Sequence, residues 1–234
     1  MRRIKSPIYI SYGMSGKLDG IAAVNTDPLS NDFCIKAATN PDWVCFYCYA
    51  RKNAKGYRAN CVNCWKRNSQ VLSESILPLE LIPTLRKGTK VLRFNAYGEL
   101  VNKNHYINFA NIAIKNPLVQ CSLYTKRPNL VDVTTAPANL TLVYSSYKLN
   151  EPAPQLPPGF HHLFAVYTLR YLNEHNILSN CTLECFKCLK CYGRRGATRI
   201  LEVVKKDQAK YKKYLLTISA ADNIKNVREV VTNV

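Results

Sequence analysis

Ten cysteines stand in this chain of 234 residues, and their spacing is where chemistry first becomes legible. Two residues separate Cys45 from Cys48, Cys61 from Cys64, Cys185 from Cys188 and Cys188 from Cys191; Cys181 lies just ahead of the last set. Thiols at that interval grip one metal centre from a single turn of chain. Ten residues separate Cys34 from Cys45. Cys34, Cys45 and Cys48 offer three thiolates, enough for three irons of a [4Fe-4S] cubane with the fourth left open to a substrate or cofactor. Cys181, Cys185, Cys188 and Cys191 offer four within eleven residues, a closed set suited to a second, structural or electron-transferring cluster. A competing pairing joins Cys45 and Cys48 to Cys61 and Cys64 in the spacing of a four-cysteine zinc site. Cys121 stands alone and reads as core packing.

The compartment decides between thiol and disulfide. Met1-Arg2-Arg3-Ile4-Lys5 lead into no apolar stretch of the length an export signal or membrane span needs. The expected location is the cytoplasm, where structural disulfides are rare and metal ligation is the better reading.

Thirty-three Lys and Arg against 15 Asp and Glu leave a formal charge of +18, a field that draws polyanions. Nucleic acid is the leading partner class, with an acidic host protein as the other. Arg51, Lys52, Lys55, Arg58, Lys66 and Arg67 surround the paired cysteines with no acidic residue between 51 and 67. Tyr49, Tyr57 and Trp65 offer faces for bases there. Arg194 and Arg195 begin a second basic run. His105, His161, His162 and His175 read as structural or exposed, and no Ser–His–Asp order or phosphate-binding glycine loop supports a hydrolase.

Elements must position these groups. Residues 90–95, 119–124, 140–144 and 163–167 are short apolar runs at crossover spacing, and residues 104–115 repeat apolar side chains with helical period. A further helix is expected within 57–85, and 151–159 is a proline-rich connector between strands. The pattern predicts an α/β fold with a parallel sheet. Residues 1–195 form the metal-binding unit, and 196–234 a basic helical extension that begins with a helix over 198–214. Ligands in such sheets gather beyond the strands' carboxyl ends. Gly98 and Glu99, Thr125 to Arg127, Ser145 and Ser146, and Thr168 to Arg170 fall there, with Gly98, Glu99, Thr125, Lys126 and Ser145 the expected cofactor contacts.

The run from Cys34 to Ala50, together with Leu92 to Leu100, Tyr124-Thr125-Lys126-Arg127 and the terminal cysteine cluster, resembles a family of uncharacterised bacteriophage proteins, gene product eighty-eight. The likeness spans most of residues 14–195. That family looks like a reduced relative of radical S-adenosylmethionine enzymes. The resemblance implies an incomplete parallel βα barrel with cysteine-rich metal-binding loops, in the host cytoplasm. It also implies a cluster on Cys34, Cys45 and Cys48, and a contact of Gly98 and Glu99 with the cofactor's methionine amino group. Two features depart from the radical-enzyme pattern: ten residues rather than three separate the first two cysteines, and Tyr97 stands where a second glycine precedes the glutamate.

Overall fold

A computed structural model describes residues 5–194, 196, 198–211 and 213. Short strands separated by crossovers build one six-stranded sheet. Strand β1 is Ala22–Val24 and β2 Val91–Phe94, followed by β3 Gln120–Thr125, β4 Leu140–Leu149, β5 His162–Tyr167 and β6 Thr198–Val203. The spatial order is the sequence order, and every neighbouring pair is parallel. Helices α1 Asp32–Ala37, α2 Tyr49–Lys55 and α3 Val62–Glu74 lie between β1 and β2. Helix α4, Lys103–Lys115, joins β2 to β3, while α5 Leu169–Glu174 and α6 Cys185–Cys188 precede β6. β1 and β6 are the two edges, so the sheet is open, the partial parallel α/β architecture expected from the pattern.

Alternate residues of each strand face opposite sides. Leu92, Phe94, Cys121, Leu123, Leu140 and Leu142 turn outward into one core with Phe109, Ile112 and Ala113 of α4. Phe94 and Phe109 stack at 4.3 Å. The side chain of Asn102 accepts a hydrogen bond from the His105 backbone N–H at 3.1 Å, which caps the start of α4. A second outer core gathers Ala165, Tyr167, Leu172 and Val203. On the other side, Arg93 of β2, Tyr124 of β3, Ser145 of β4, Phe164 of β5 and Glu202 of β6 all line one cavity. Five strands reach one space only because the sheet curves around it.

The expected strands appear within a residue or two, with β4 extended to Leu149, and the helix over 104–115 is α4. The connector at 151–159 does join two strands, and Cys121 is fully buried. One expectation fails: residues 198–203 form β6 rather than the start of a basic helix. Ile200, Val203 and Val204 are buried, and the open edge of β5 supplies a ladder partner that a helix would leave unpaired. β6 lies wholly beyond residue 196 and completes the one sheet. The rest of that extension, beyond residue 213, lies outside the described residues.

Candidate functional site

The loop after β1 carries the first thiols. Asn31, at the start of α1, accepts the Cys34 backbone N–H through Oδ1 at 3.3 Å and donates from Nδ2 to the Glu99 carbonyl at 3.0 Å. One buried amide thus fixes the Cys34 loop to the loop after β2. Cys45 sits in a short helical turn, Val44–Tyr47, and Cys48 immediately precedes α2. Cys34, Cys45 and Cys48 line a cavity of about 410 Å³ with Gly98, Glu99 and Lys126.

Glu99 is buried and heavily engaged. Its Oε1 accepts from the Leu100 backbone N–H at 2.8 Å and Thr125 Oγ1 at 2.6 Å, and Oε2 accepts from the Lys126 backbone N–H at 2.8 Å. Lys126 Nζ donates to Ser145 Oγ at 3.0 Å. Burial disfavours the Lys126 charge, yet Cys45, Glu99, Cys48 and Cys34 around it outweigh that and raise its pKa. The thiols respond in kind: burial, then Glu99, Cys48 and Cys45, push Cys34 upward, and burial first raises Cys45. The expected rim residues Gly98, Glu99, Lys126 and Ser145 therefore share one cavity, with Thr125 bonded to Glu99 behind them.

Gly98 has φ +88, and a Cβ there would lie 2.1 Å from Thr26 Oγ1 and 2.6 Å from the Thr26 carbonyl oxygen. Only glycine lets the β1 and β2 loops approach so closely. Tyr97, the departure from the doubled glycine, stacks on Trp65 at 4.5 Å and accepts a hydrogen bond from Asn53 Nδ2 at 3.0 Å. It fastens α2 and α3 to the rim. Thr168 instead caps α5, and Arg170 pairs with Glu174 at 2.7 Å on the surface. These two are not cavity residues.

Deeper in the cavity lie charged groups that strand patterning alone passes over. Arg93 stands 3.0 Å over the Tyr124 ring, and its Nε has no partner among the described residues. Lys17 bonds Glu202 at 2.5 Å; Glu202 also accepts from Gln208 at 3.0 Å and lies 3.6 Å from Cys181 Sγ. Asn95 holds a left-handed backbone, φ 55, and its buried Nδ2 has no partner among the described residues. Their signal was present in the sequence: a charge inside an otherwise apolar strand, as at Arg93 and Glu202, is costly unless the strand faces a partner.

The second thiol segment packs against the inner face. The Thr141 hydroxyl donates to the Tyr192 carbonyl at 2.9 Å. Cys181 and Cys191 pack on the core of Tyr124, Phe164 and Ile200, while Cys185 and Cys191 pack beside Tyr192 and Tyr97. Burial first, then Glu202, push the Cys181 thiol up to about 12. Leu183 and Leu189, between these cysteines, both adopt left-handed backbone, φ 60 and 52, a conformation costing roughly 1–2 kcal/mol for such residues.

Among the described residues, no three His, Cys, Asp or Glu side chains stand together as a site for a metal ion. Of the four cysteines in zinc spacing, Cys45 and Cys48 line the cavity and Cys61 and Cys64 do not, while Cys48 and Cys61 both pack against the core of Trp65 and Tyr97. Cys61 instead packs beside Trp65 and lies 3.5 Å from Asn60 Oδ1. A zinc site draws four sulfurs to within about 4 Å of one another. A cubane needs one thiolate per iron and so keeps them farther apart. Three thiols around one cavity suit the cubane in number and chemistry.

The basic segment is also sorted. Tyr49 and Trp65 are not free for stacking: the Tyr49 hydroxyl donates to the Ala96 carbonyl at 2.8 Å, and Trp65 is buried. Tyr57 is exposed, as are Phe46 and Tyr47. Lys52, Lys55, Lys66 and Arg67 are exposed, Arg51 bonds the Pro28 carbonyl at 2.7 Å, and Arg58 lines the cavity mouth. Arg194 is exposed, with its guanidinium engaged by the carbonyls of Pro137 and Leu140. Arg195 lies outside the described residues. No helix among them is long and apolar enough to cross a membrane.

An open, parallel α/β protein with a thiol-ringed cavity at the carboxyl ends of its strands is the class these features define. The family model described as gene product 88 matches residues 10–171, and the chain belongs to that family of bacteriophage proteins. The match takes in Cys34, Cys45, Cys48, Glu99 and Lys126 and ends before Cys181. No curated protein and no solved structure matches the chain.

Proposed function

We propose that the protein is an iron–sulfur protein of radical S-adenosylmethionine type, its open sheet an incomplete barrel of that kind. Cys34, Cys45 and Cys48 hold a [4Fe-4S] cluster, and Cys181, Cys185, Cys188 and Cys191 hold a second. One observation carries the reading: three thiols, a buried carboxylate and a half-buried lysine meet in one cavity at the carboxyl ends of parallel strands. Such a cluster, when bound, supplies the electron for reductive cleavage of S-adenosylmethionine.

This chain's own residues bind and orient. Glu99, fixed through Thr125 and the Lys126 and Leu100 amides, presents an anionic edge to a cofactor ammonium. Lys126, held by Ser145, presents a cation to a carboxylate in the same cavity. Asn95 Nδ2 and Arg93 Nε are donors in its wall without partners among the described residues and await an acceptor. The curved sheet excludes water from beneath. The two left-handed leucines are strain that a metal-gripped loop over-determines. The substrate is nucleic-acid-associated, in keeping with the charge of +18.

The test is metal, sulfide and the absorption spectrum of protein purified without oxygen. Iron and sulfide with broad visible absorption are expected. A triple Cys34→Ala/Cys45→Ala/Cys48→Ala variant should lose the iron of one cluster and keep the other, and should lose S-adenosylmethionine cleavage altogether. A colourless protein containing zinc sinks this reading. It would favour the second one, a non-catalytic nucleic-acid-binding accessory protein, which the exposed Lys52, Lys55, Lys66 and Arg67 support.

A further inference from the structure

A second cavity, about 580 Å³, opens beside the first between α1 and α3. Its chemistry is different. Lys36, Lys66 and Arg127 line it with a single carboxylate, Asp32, and the neutral donors Gln70 and Ser73. None of the three cations belongs to an ion pair among the described residues. Arg127 is immobilised: one guanidinium nitrogen, Nη1, donates to the carbonyls of Leu100 and Val101, both at 2.9 Å. Its charge lies 5.6 Å from the Phe33 ring. A guanidinium held from behind by backbone presents its remaining N–H groups in a fixed direction, the arrangement suited to phosphate oxygens. Lys36 and Lys66 are exposed and can swing to meet the same group.

The groove is tied to the thiol cavity through two residues. Phe33 lines both spaces. Asn31, in the wall of the groove, holds the Cys34 amide and the Glu99 carbonyl. A ligand anchored by phosphate in the groove therefore reaches the thiol cavity by crossing the Phe33 ring, one residue from Cys34.

We infer that this groove is the phosphate-binding subsite of the substrate: it takes a nucleotide phosphate and directs the attached base or sugar over Phe33 into the thiol cavity. Phosphate binding stands on the groove alone, and its service to the cavity rests on the function proposed above. Three positive charges against one negative, confined to a concave site rather than spread over a helix face, are what separate it from the general basic surface.

The experiment uses the full-length protein and a fluorescein-labelled single-stranded oligonucleotide, followed by anisotropy across a salt series. Lys36→Gln/Lys66→Gln is compared with Lys87→Gln/Lys90→Gln, which removes the same charge from exposed positions just ahead of β2, at the other end of the strands. The groove variant should bind about tenfold more weakly than the control variant, and its salt slope should fall by about two. Equal weakening in the two variants overturns the proposal, because the attraction is then only the net charge. Inorganic phosphate and a 5′-mononucleotide serve as competitors. Displacement by the mononucleotide at concentrations matching the oligonucleotide in phosphate assigns the groove to a free nucleotide. Displacement by unlabelled oligonucleotide alone assigns it to chain phosphates. Iron measured on the same preparations keeps the two proposals apart: a colourless protein that retains the groove-specific loss removes the cluster and leaves the phosphate site.

Discussion

The two faces of one sheet are built from alternate residues of the same strands, yet they obey opposite rules. Outward, Leu92, Phe94, Leu123 and Leu142 meet α4 in a core free of charged side chains. Inward, Arg93, Glu202 and Lys17 sit among tyrosines and thiols. Burial penalises the Arg93 cation, and Tyr124, Tyr192, Tyr49 and Cys191 outweigh that penalty and raise its pKa. A protein selected for stability alone would fill the inner face as it fills the outer one. The difference teaches that the outer face holds the fold, while the inner face keeps charged groups that stability alone does not call for.

The largest expected effect breaks the outer face. Phe109 is fully buried and stacked on Phe94, so Phe109→Ala should cost about 3–5 kcal/mol in denaturant unfolding. The cavity residues do not touch it, so any folded fraction should retain its metal content. Loss of metal without loss of stability would show that the faces are not separable in this way.

The next effect probes the inner face. Lys17 is the cation partner of Glu202, whose side chain is 8% exposed. Lys17→Met leaves a buried carboxylate and should destabilise by about 3 kcal/mol, while Lys17→Met/Glu202→Leu should recover most of that loss. Burial lowers the Lys17 pKa and Glu202 more than reverses it, so the ammonium stays charged across the working range. If the single variant costs nothing, water reaches Glu202 and the inner face is wetter than its geometry indicates.

Much of this division was legible in the sequence because strand and helix periods differ. The runs at 90–95 and 140–144 and the helix at 104–115 declare themselves through apolar period and length. β1 does not: Ala22, Ala23 and Val24 make a strand too short for any period, fixed by pairing with Leu92, Arg93 and Phe94. β6 was hidden by its basic flanks, which read as one face of a helix until the edge of β5 supplied a partner. At the site, spacing grouped Cys34, Cys45 and Cys48 and strand ends grouped Glu99 and Lys126, while the resemblance to the phage family is what put the two groups together. Lys17 was not legible, since it precedes β1 and meets Glu202 across 185 residues.

The smallest effect tests how dry the outer face is. His105 is fully buried, its Nδ1 accepts the Val101 backbone N–H at 3.2 Å, and Phe109 covers its ring at 4.5 Å. Burial lowers its pKa from 6.5 to about 3. The unfolded chain therefore takes up this proton first as the pH falls. The stability that the neutral ring contributes is complete above about 6.5 and drains away as the pH drops toward 3, at up to about 1.4 kcal/mol per pH unit for one proton. Glutamine keeps an acceptor for Val101 and does not titrate. The stability difference between the native protein and His105→Gln should then change with that one-proton slope between pH 6 and 4, measured by urea unfolding. A flat difference would mean that the ring charges inside the fold, and that the outer face admits water beside α4.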